Sequence, residues 1–129
     1  LAGYNATVLA YGQTGSGKTY TMGQGAETLS GPEAGAVPRC LRDLFSKDVR
    51  STASYVEIYN EDIRDLLGDA KGLVIREDAA KGLFVAGAQA RVVRTAREAQ
   101  SLLAEGAKRR ATGSTRLNDA SSRSHAILT

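Results

Sequence analysis

The sequence predicts an α/β fold of three layers, with helices on both faces of a mostly parallel central sheet. Short apolar runs bounded by turn residues alternate along the chain with segments of helical periodicity. A glycine-rich loop joins the first apolar run, residues 7–11, to a segment that can begin a helix, residues 19–22. The first run is continuously apolar, which is typical of a strand buried on both faces of a parallel sheet.

The glycine-rich loop matches the phosphate-loop pattern G-x-x-x-x-G-K-[ST]. Glycines let the backbone curl so that its N–H groups point at phosphates, and the following helix adds further free N–H groups. Lysine would supply a charge to the β- and γ-phosphates and threonine a hydroxyl to Mg²⁺. The alternative is a glycine-rich surface turn with an exposed lysine, but it leaves the preceding strand unexplained. The pattern therefore predicts a P-loop NTPase whose phosphate-binding residues are Gly12, Gln13, Thr14, Gly15, Ser16, Gly17, Lys18 and Thr19.

The composition is that of one globular domain. The chain has 129 residues, of which 42% are hydrophobic and 24% charged. Its net charge of +3 permits an acidic partner without requiring one. The single cysteine, Cys40, excludes an internal disulfide and fits a reducing compartment. No apolar run approaches transmembrane length, so no membrane partner is expected. Both ends of the chain are expected to cut through the fold.

The helix after the phosphate loop is predicted to carry an inserted loop. Glycines and a proline between residues 23 and 35 cannot all be helical. Helical signals resume at Pro38, and the apolar face of this second segment comprises Val37, Leu41, Leu44 and Phe45. An insertion of about a dozen residues fits this spacing. A plain flexible loop and a lid near the nucleotide are equally compatible with it.

Strands are predicted over residues 54–59, 73–76, 83–85 and 90–94, where β-branched and aromatic residues concentrate. Residues 61–67 are expected to form a short helical turn, because their apolar residues recur at helical spacing.

A further helix is predicted near the end of the chain. Thr95 and Glu98 form a capping-box pattern, and the helix that they begin is expected to end near Arg110. The basic residues 108–110 are expected to be a helix cap and a solvated face, with contact to a phosphate or a partner as the alternative.

Residues 115–125 hold several short hydroxyl side chains, an asparagine and an arginine in one predicted loop. Alone, this composition predicts a solvated loop or a phosphorylation site. Beside a phosphate loop it favours a segment that senses the γ-phosphate, because phosphoryl transfer needs groups that position water and metal ions. His125, the only histidine, is expected to be hydrogen-bonded at the start of a strand rather than to act as a general base.

Three stretches, residues 12–19, 54–61 and 118–125, together resemble the kinesin motor domain. The resemblance covers essentially the whole chain, in the family's order. It implies ATP binding and hydrolysis coupled to microtubule-based movement. Residues 76–78 and 123–129 resemble the kinesin-4 or chromokinesin-like branch more specifically.

The resemblance also implies roles for individual residues. Switch I, which would order around the γ-phosphate, corresponds to Asn118, Ser121, Ser122 and Arg123. Thr19 and Ser122 would coordinate Mg²⁺. Tyr20 takes the position beside the adenine, and Arg110 that of a family arginine near the nucleotide. The inserted loop after residue 22 corresponds to a loop that binds inhibitors in some relatives.

By this resemblance, residues 1–129 are a partial motor domain that runs from the phosphate loop through switch I. The adenine-contacting Arg-x-Arg-Pro element, switch II and the neck lie outside the chain. ATP, Mg²⁺ and the microtubule are the implied ligands, and no direct nucleic-acid contact is expected. A homodimer would form through a stalk outside the chain. The implied location is the cytoplasm and cytoskeleton, including a spindle or cilium.

Two other functions remain open. The first is a truncated non-motor fragment that interacts with nucleotide or tubulin without ATPase activity of its own. The second is another phosphate-loop enzyme, such as a nucleotide kinase, which does not account for residues 118–125.

Overall fold

The computed structural model describes residues 4–23, 31–80, 82–112 and 123–129, which form three helices and seven strands. The helices are α1 (Lys18–Met22), α2 (Ala36–Phe45) and α3 (Ala96–Thr112). The strands are β1 (Ser51–Ala53), β2 (Tyr55–Tyr59), β3 (Asp62–Asp65), β4 (Val74–Asp78), β5 (Gly82–Ala86), β6 (Arg91–Val93) and β7 (Ser124–Leu128).

The described strands pair only in antiparallel fashion. β2 lies between β3 and β7, β1 pairs with β6, and β4 pairs with β5. The predicted mostly parallel sheet is therefore not confirmed. Two of these pairs are short hairpins, and a short connection joins antiparallel strands, whereas parallel strands need a long crossover.

The apolar run at residues 7–11 forms no strand in the structure, so the strand predicted there is wrong for this chain. Val8 is 64% exposed and Leu9 82% exposed. Among the described residues no strand pairs with this run, and a high β-propensity does not make a strand without a neighbouring backbone to bond.

The helical turn predicted over residues 61–67 is also wrong, because β3 occupies residues 62–65. Asn60 and Glu61 have φ angles of 49° and 68°. Two successive positive φ angles form a tight hairpin turn whose twist suits the flanking strands. β3 therefore folds back on β2, with Ile63 opposite Ile58 and buried. The helical spacing of the apolar residues was coincidental.

The remaining predicted elements are confirmed with small shifts in their ends. α2 includes the predicted apolar face, and β4, β5 and β6 overlap the predicted strands. At the start of α3, the Glu98 amide donates to Thr95 Oγ1 at 3.1 Å, as a capping box requires. The Glu98 carboxylate accepts from the Arg94 amide at 2.8 Å, one residue before the cap.

The core lies between the β2 sheet, α2 and α3. Alternate residues of β2 point to one face of the sheet, and α3 packs on the face that carries Tyr55 and Glu57. The buried apolar residues of this cluster are Tyr55, Leu66, Leu67, Val93, Ala99, Leu102 and Leu103. In contrast, the β4–β5 hairpin is largely exposed.

Among the helices described, none is both long and apolar enough to cross a membrane.

Candidate nucleotide site

The phosphate loop adopts a backbone that requires glycine at defined positions. Gly15 and Gly17 have φ angles of 80° and 85°. Gly12 has a φ of 156°, and a Cβ there would lie 2.6 Å from Ser16 Oγ. A side chain at Gly12 would therefore displace Ser16, whose amide bonds back to Gln13 O at 3.2 Å. The loop is curled and exposed, so its backbone is open to a ligand.

Lys18 lies folded over this loop. Its ammonium donates to the backbone carbonyls of Gly12 at 2.7 Å and Gln13 at 2.6 Å. An ammonium has three rotatable donors on a flexible stem, so the same group can exchange a carbonyl for a phosphate oxygen with little movement of the chain. The positive charge of Lys18 therefore already lies against the backbone of the phosphate loop.

The start of α1 adds backbone donors beside Lys18. The first helical hydrogen bond runs from the Thr21 amide to Gly17 O at 2.8 Å. The helix geometry leaves the N–H groups of Lys18 and Thr19 without an intrahelical acceptor. The curled loop backbone, the Lys18 ammonium and these amides together suit the oxygens of a polyphosphate, so the residues present fit a nucleoside triphosphate.

A bound Mg²⁺ would be held by oxygen ligands, and the hydroxyl of Thr19 is of the right kind. Thr19 is half-buried at the first turn of α1. Ser122, the other predicted ligand, lies outside the described residues. In residues 4–23, 31–80, 82–112 and 123–129, no group of three or more His, Cys, Asp or Glu side chains could hold a metal ion.

Tyr20, predicted to lie beside the adenine, is 51% exposed. Its hydroxyl donates to the carboxylate of Glu33, near the end of the inserted segment. This bond ties the phosphate-loop helix to the end of the insertion. The position of Tyr20 relative to an adenine stays a prediction.

The two halves of the interrupted helix meet at two glycines. A Cβ on Gly35 would lie 2.2 Å from the amide nitrogen of Gly23 and 2.3 Å from its Cα. A Cβ on Gly23, in turn, would lie 2.7 Å from Pro38 Cδ. The end of α1 thus rests directly on the start of α2, as expected for one helix with an insertion.

Replacing Gly35 with alanine is expected to lower the free energy of unfolding by about 2–3 kcal/mol, since backbone atoms on the facing glycine cannot rotate away. The displacement should also reach α1 and weaken nucleotide binding. Denaturant unfolding and a nucleotide titration measure the two effects. Arg42→Ala, at an exposed position of α2, is the control. Unchanged stability in Gly35→Ala would contradict the close contact.

Arg110 is buried, 8% exposed, and not part of a solvated face. The expectation for residues 108–110 is therefore wrong at this position. The Arg110 Nε lies 3.1 Å from Glu57 Oε1, and Arg64 of β3 bonds the other oxygen of the same carboxylate. Glu57 is 0% exposed. A buried carboxylate needs such partners because its desolvation is otherwise strongly unfavourable.

The sequence alone did not predict the pairing of Glu57 with Arg64. One feature of the sequence does indicate a charged partner for Glu57. Its carboxylate lies in the middle of an otherwise apolar and aromatic strand, and buried glutamates are rarely unpaired. Pairing it with Arg64 required the β2–β3 register, in which Glu57 faces Arg64. The expected helical turn over residues 61–67 concealed that register.

Tyr55 borders this cluster. Burial raises the pKa of its hydroxyl, the nearby Arg110 charge lowers it by less, and Glu57 adds a small upward contribution. Within the part of the chain that the structure describes, the Tyr55 hydroxyl oxygen is buried without a hydrogen-bond partner. The neutral phenol is therefore the form that this site holds.

A second polar network fastens α3 to the loop after β3. Arg91 forms two bonds to Glu105, at 2.6 and 3.0 Å, and another to the Leu67 carbonyl. The hydrogen bond from Arg91 lowers the pKa of Glu105, and the same bond raises that of Arg91. Arg109 bonds Asp69 Oδ1 at 2.8 Å. These contacts hold α3 beside the loop after β3.

The switch I residues are described only in part. Arg123 lies exposed in the turn before β7, whereas Asn118, Ser121 and Ser122 lie outside the described residues. His125 is the second residue of β7, opposite Ile58, and is exposed. The predicted start of a strand is confirmed there.

Comparisons with known proteins identify the family of this chain. A family model described as kinesin motor domain matches residues 1–129. Kinesin-like protein KIF27 of Homo sapiens is 47% identical over 141 residues, covering 100% of this chain and 10% of that protein. Chromosome-associated kinesin KIF4 of Gallus gallus is 48% identical, covering 98% of this chain and 11% of that protein. These relatives are consistent with the kinesin-4-like resemblance.

A solved structure of a fast kinesin superposes on this chain with a TM-score of 0.86 at 37% identity. The match covers 97% of this chain and 38% of the other. This chain spans about a tenth of the length of the curated relatives named above. The α/β architecture is therefore that of a kinesin, and the chain belongs to the kinesin motor domain family.

Proposed function

We propose that residues 1–129 are the central section of an ATP-driven microtubule motor domain. The observation that carries this proposal is the curled loop at residues 12–19, with the Lys18 ammonium held on its carbonyls. Family membership supports the coupling of that site to a microtubule. In the complete protein, the run at residues 7–11 would join a parallel central sheet and bring the loop to its edge.

The residues of the loop would hold the nucleotide by charge and backbone donors. Lys18 donates to the β- and γ-phosphates after leaving Gly12 O and Gln13 O, and the amides at the start of α1 bond the phosphate chain. The hydroxyls of Thr19 and Ser122 would hold Mg²⁺, which would supply positive charge to neutralise the phosphates.

Switch I would act on hydrolysis rather than on binding. Asn118 and Ser121 would orient the attacking water, and Arg123 would pair with a switch II glutamate once the γ-phosphate is in place. Interactions that form only in the transition state change turnover without changing affinity for the substrate. Arg123 is exposed in the structure, which leaves its guanidinium available for such a partner.

Arg123→Ala in the complete protein is expected to slow microtubule-stimulated ATP turnover at least about tenfold while ATP affinity changes less than about threefold. Steady-state ATPase assays with and without microtubules, together with a nucleotide titration, test this. Arg97→Ala, at an exposed position of α3, is the control. Nucleotide binding by the unaltered protein without microtubule stimulation would favour the non-motor alternative.

A further inference from the structure

A single buried guanidinium joins α3 to two strands of the β2 sheet. On one side, Arg110 Nε bonds Glu57 Oε1 at 3.1 Å on the middle strand. On the other side, Arg110 Nη2 bonds Ser124 Oγ at 2.9 Å and Ser124 O at 3.1 Å. Arg110 Nε also donates to Ser124 Oγ, at 3.3 Å. We name the set Glu57, Arg64, Arg110 and Ser124 the Arg110 latch.

The latch joins the end of α3 to the start of β7, which flank one segment of the sequence. Arg110 lies in the last turn of α3, and Ser124 is the first residue of β7. They are 14 positions apart. Through this contact the latch sets the distance between the end of α3 and the start of β7. It also holds the carbonyl and the hydroxyl of the residue directly after Arg123.

We propose that Arg110 is a positioning residue for ATP hydrolysis and acts by fixing Ser124 and thereby Arg123. This inference rests on the proposed function. It gives Arg110 a role through the protein rather than a direct contact with nucleotide. The latch sets the rate of the hydrolytic step and leaves ATP affinity to the phosphate loop.

The burial of the latch supports a positioning role over a purely stabilising one. Ion pairs of this kind add little stability on balance, because desolvation offsets most of the attraction. In some proteins such pairs instead fix a defined geometry, which is the role that the latch contacts suit. Glu57 is 0% exposed and Arg110 8% exposed, so neither charge has solvent as an alternative partner.

The shape of the guanidinium explains why arginine is needed. Its planar fork reaches Glu57 and both the hydroxyl and the carbonyl oxygen of Ser124 together. A lysine ammonium is a compact point charge and does not span the same acceptors in fixed directions. Glu57 would still keep Arg64 after a change at Arg110, so the carboxylate is not left unpaired. Arg110→Lys therefore removes the connection to Ser124 without orphaning a buried charge.

The test uses the complete protein and three latch variants. Arg110→Lys and Ser124→Ala are each expected to slow single-turnover hydrolysis on microtubules by about tenfold, with ATP affinity within about threefold of the unaltered protein. Ser124→Thr keeps the hydroxyl on a strand that favours β-branched residues, and it should restore the rate. The double variant Arg110→Lys/Ser124→Ala should be no slower than Arg110→Lys alone, because the Ser124 hydroxyl acts through Arg110.

Arg109→Lys is the matched control. Arg109 is the adjacent residue of α3, and it bonds Asp69, Gly68 and Glu105. Its replacement should leave the hydrolysis rate unchanged. Thermal unfolding of every variant separates loss of fold from loss of rate. If Arg110→Lys unfolds, the comparison of Ser124→Ala with Ser124→Thr tests the positioning role instead.

Several outcomes would overturn the proposal. Ser124→Ala with an unaltered rate, or Ser124→Thr as slow as Ser124→Ala, would remove the positioning role. An equal slowing in Arg109→Lys would show a general effect of α3. A parallel loss of ATP affinity would indicate a contact with the nucleotide instead. Failure of the proposed function is distinct, because the unaltered protein itself would then lack microtubule-stimulated turnover.

Discussion

Lys18→Ala is expected to weaken ATP binding by about 3 kcal/mol, or roughly a hundredfold, because charge-assisted hydrogen bonds to the phosphates are lost. In the structure the ammonium already lies 2.6–2.7 Å from the loop carbonyls of Gly12 and Gln13. Alanine removes the only side-chain cation that the motif places inside the loop. The backbone amides alone would then hold the nucleotide.

Titration calorimetry with ATP on the complete protein measures this loss. Lys71→Ala, which removes an equal charge from an exposed loop, is the control and should bind as the unaltered protein does. If Lys18→Ala retained the original affinity, residues 12–19 would not be the phosphate site.

Gly106→Ala is expected to destabilise the fold by about 2 kcal/mol. A Cβ at Gly106 would lie 2.2 Å from Tyr55 Cδ1 and 2.3 Å from Tyr55 Cε1. Tyr55 is 0% exposed, so its ring has no free space into which to move. Overpacking at such a site costs about 3 kcal/mol, whereas the better helix propensity of alanine returns only about 1 kcal/mol. Packing therefore outweighs propensity here.

Denaturant unfolding gives the free-energy change directly. Ser101→Ala, an exposed position on the same helix, receives the same new residue and should be neutral or slightly stabilising. Combining Gly106→Ala with Tyr55→Leu should cost less than the sum of the two single changes, because the ring that clashes is gone. Additive effects, or a stabilised Gly106→Ala, would rule out the contact between α3 and the Tyr55 ring.

The prediction of local elements succeeded where a local signal was sufficient. The capping residues of α3 and the glycine spacing of the phosphate loop act within a few residues, and the structure shows both in the expected places. Arg110 shows the opposite case. Its position at the end of a basic run predicts a solvated cation, whereas its true partner Glu57 is 53 positions away in the sequence.

Strand pairing explains the other errors. Residues 61–67 have helical spacing of apolar side chains, but the positive φ angles of Asn60 and Glu61 turn the chain back into a hairpin. Residues 7–11 have the composition of a buried strand, yet no described strand offers them a backbone partner. In both segments the backbone hydrogen bonds determine whether a strand forms. Amino-acid composition indicates those bonds only indirectly.

By itself the sequence determined the glycine-rich loop of the phosphate-loop motif and the kinesin family, because the required glycines, lysine and threonine lie at short and fixed spacings. The tertiary structure alone decided which side chains meet across the fold. The contact of Gly106 with Tyr55 and the latch from Arg110 to Glu57 and Ser124 depend on how α3 packs on the β2 sheet. Close packing joins residues that are distant along the chain, and no local pattern encodes those distances.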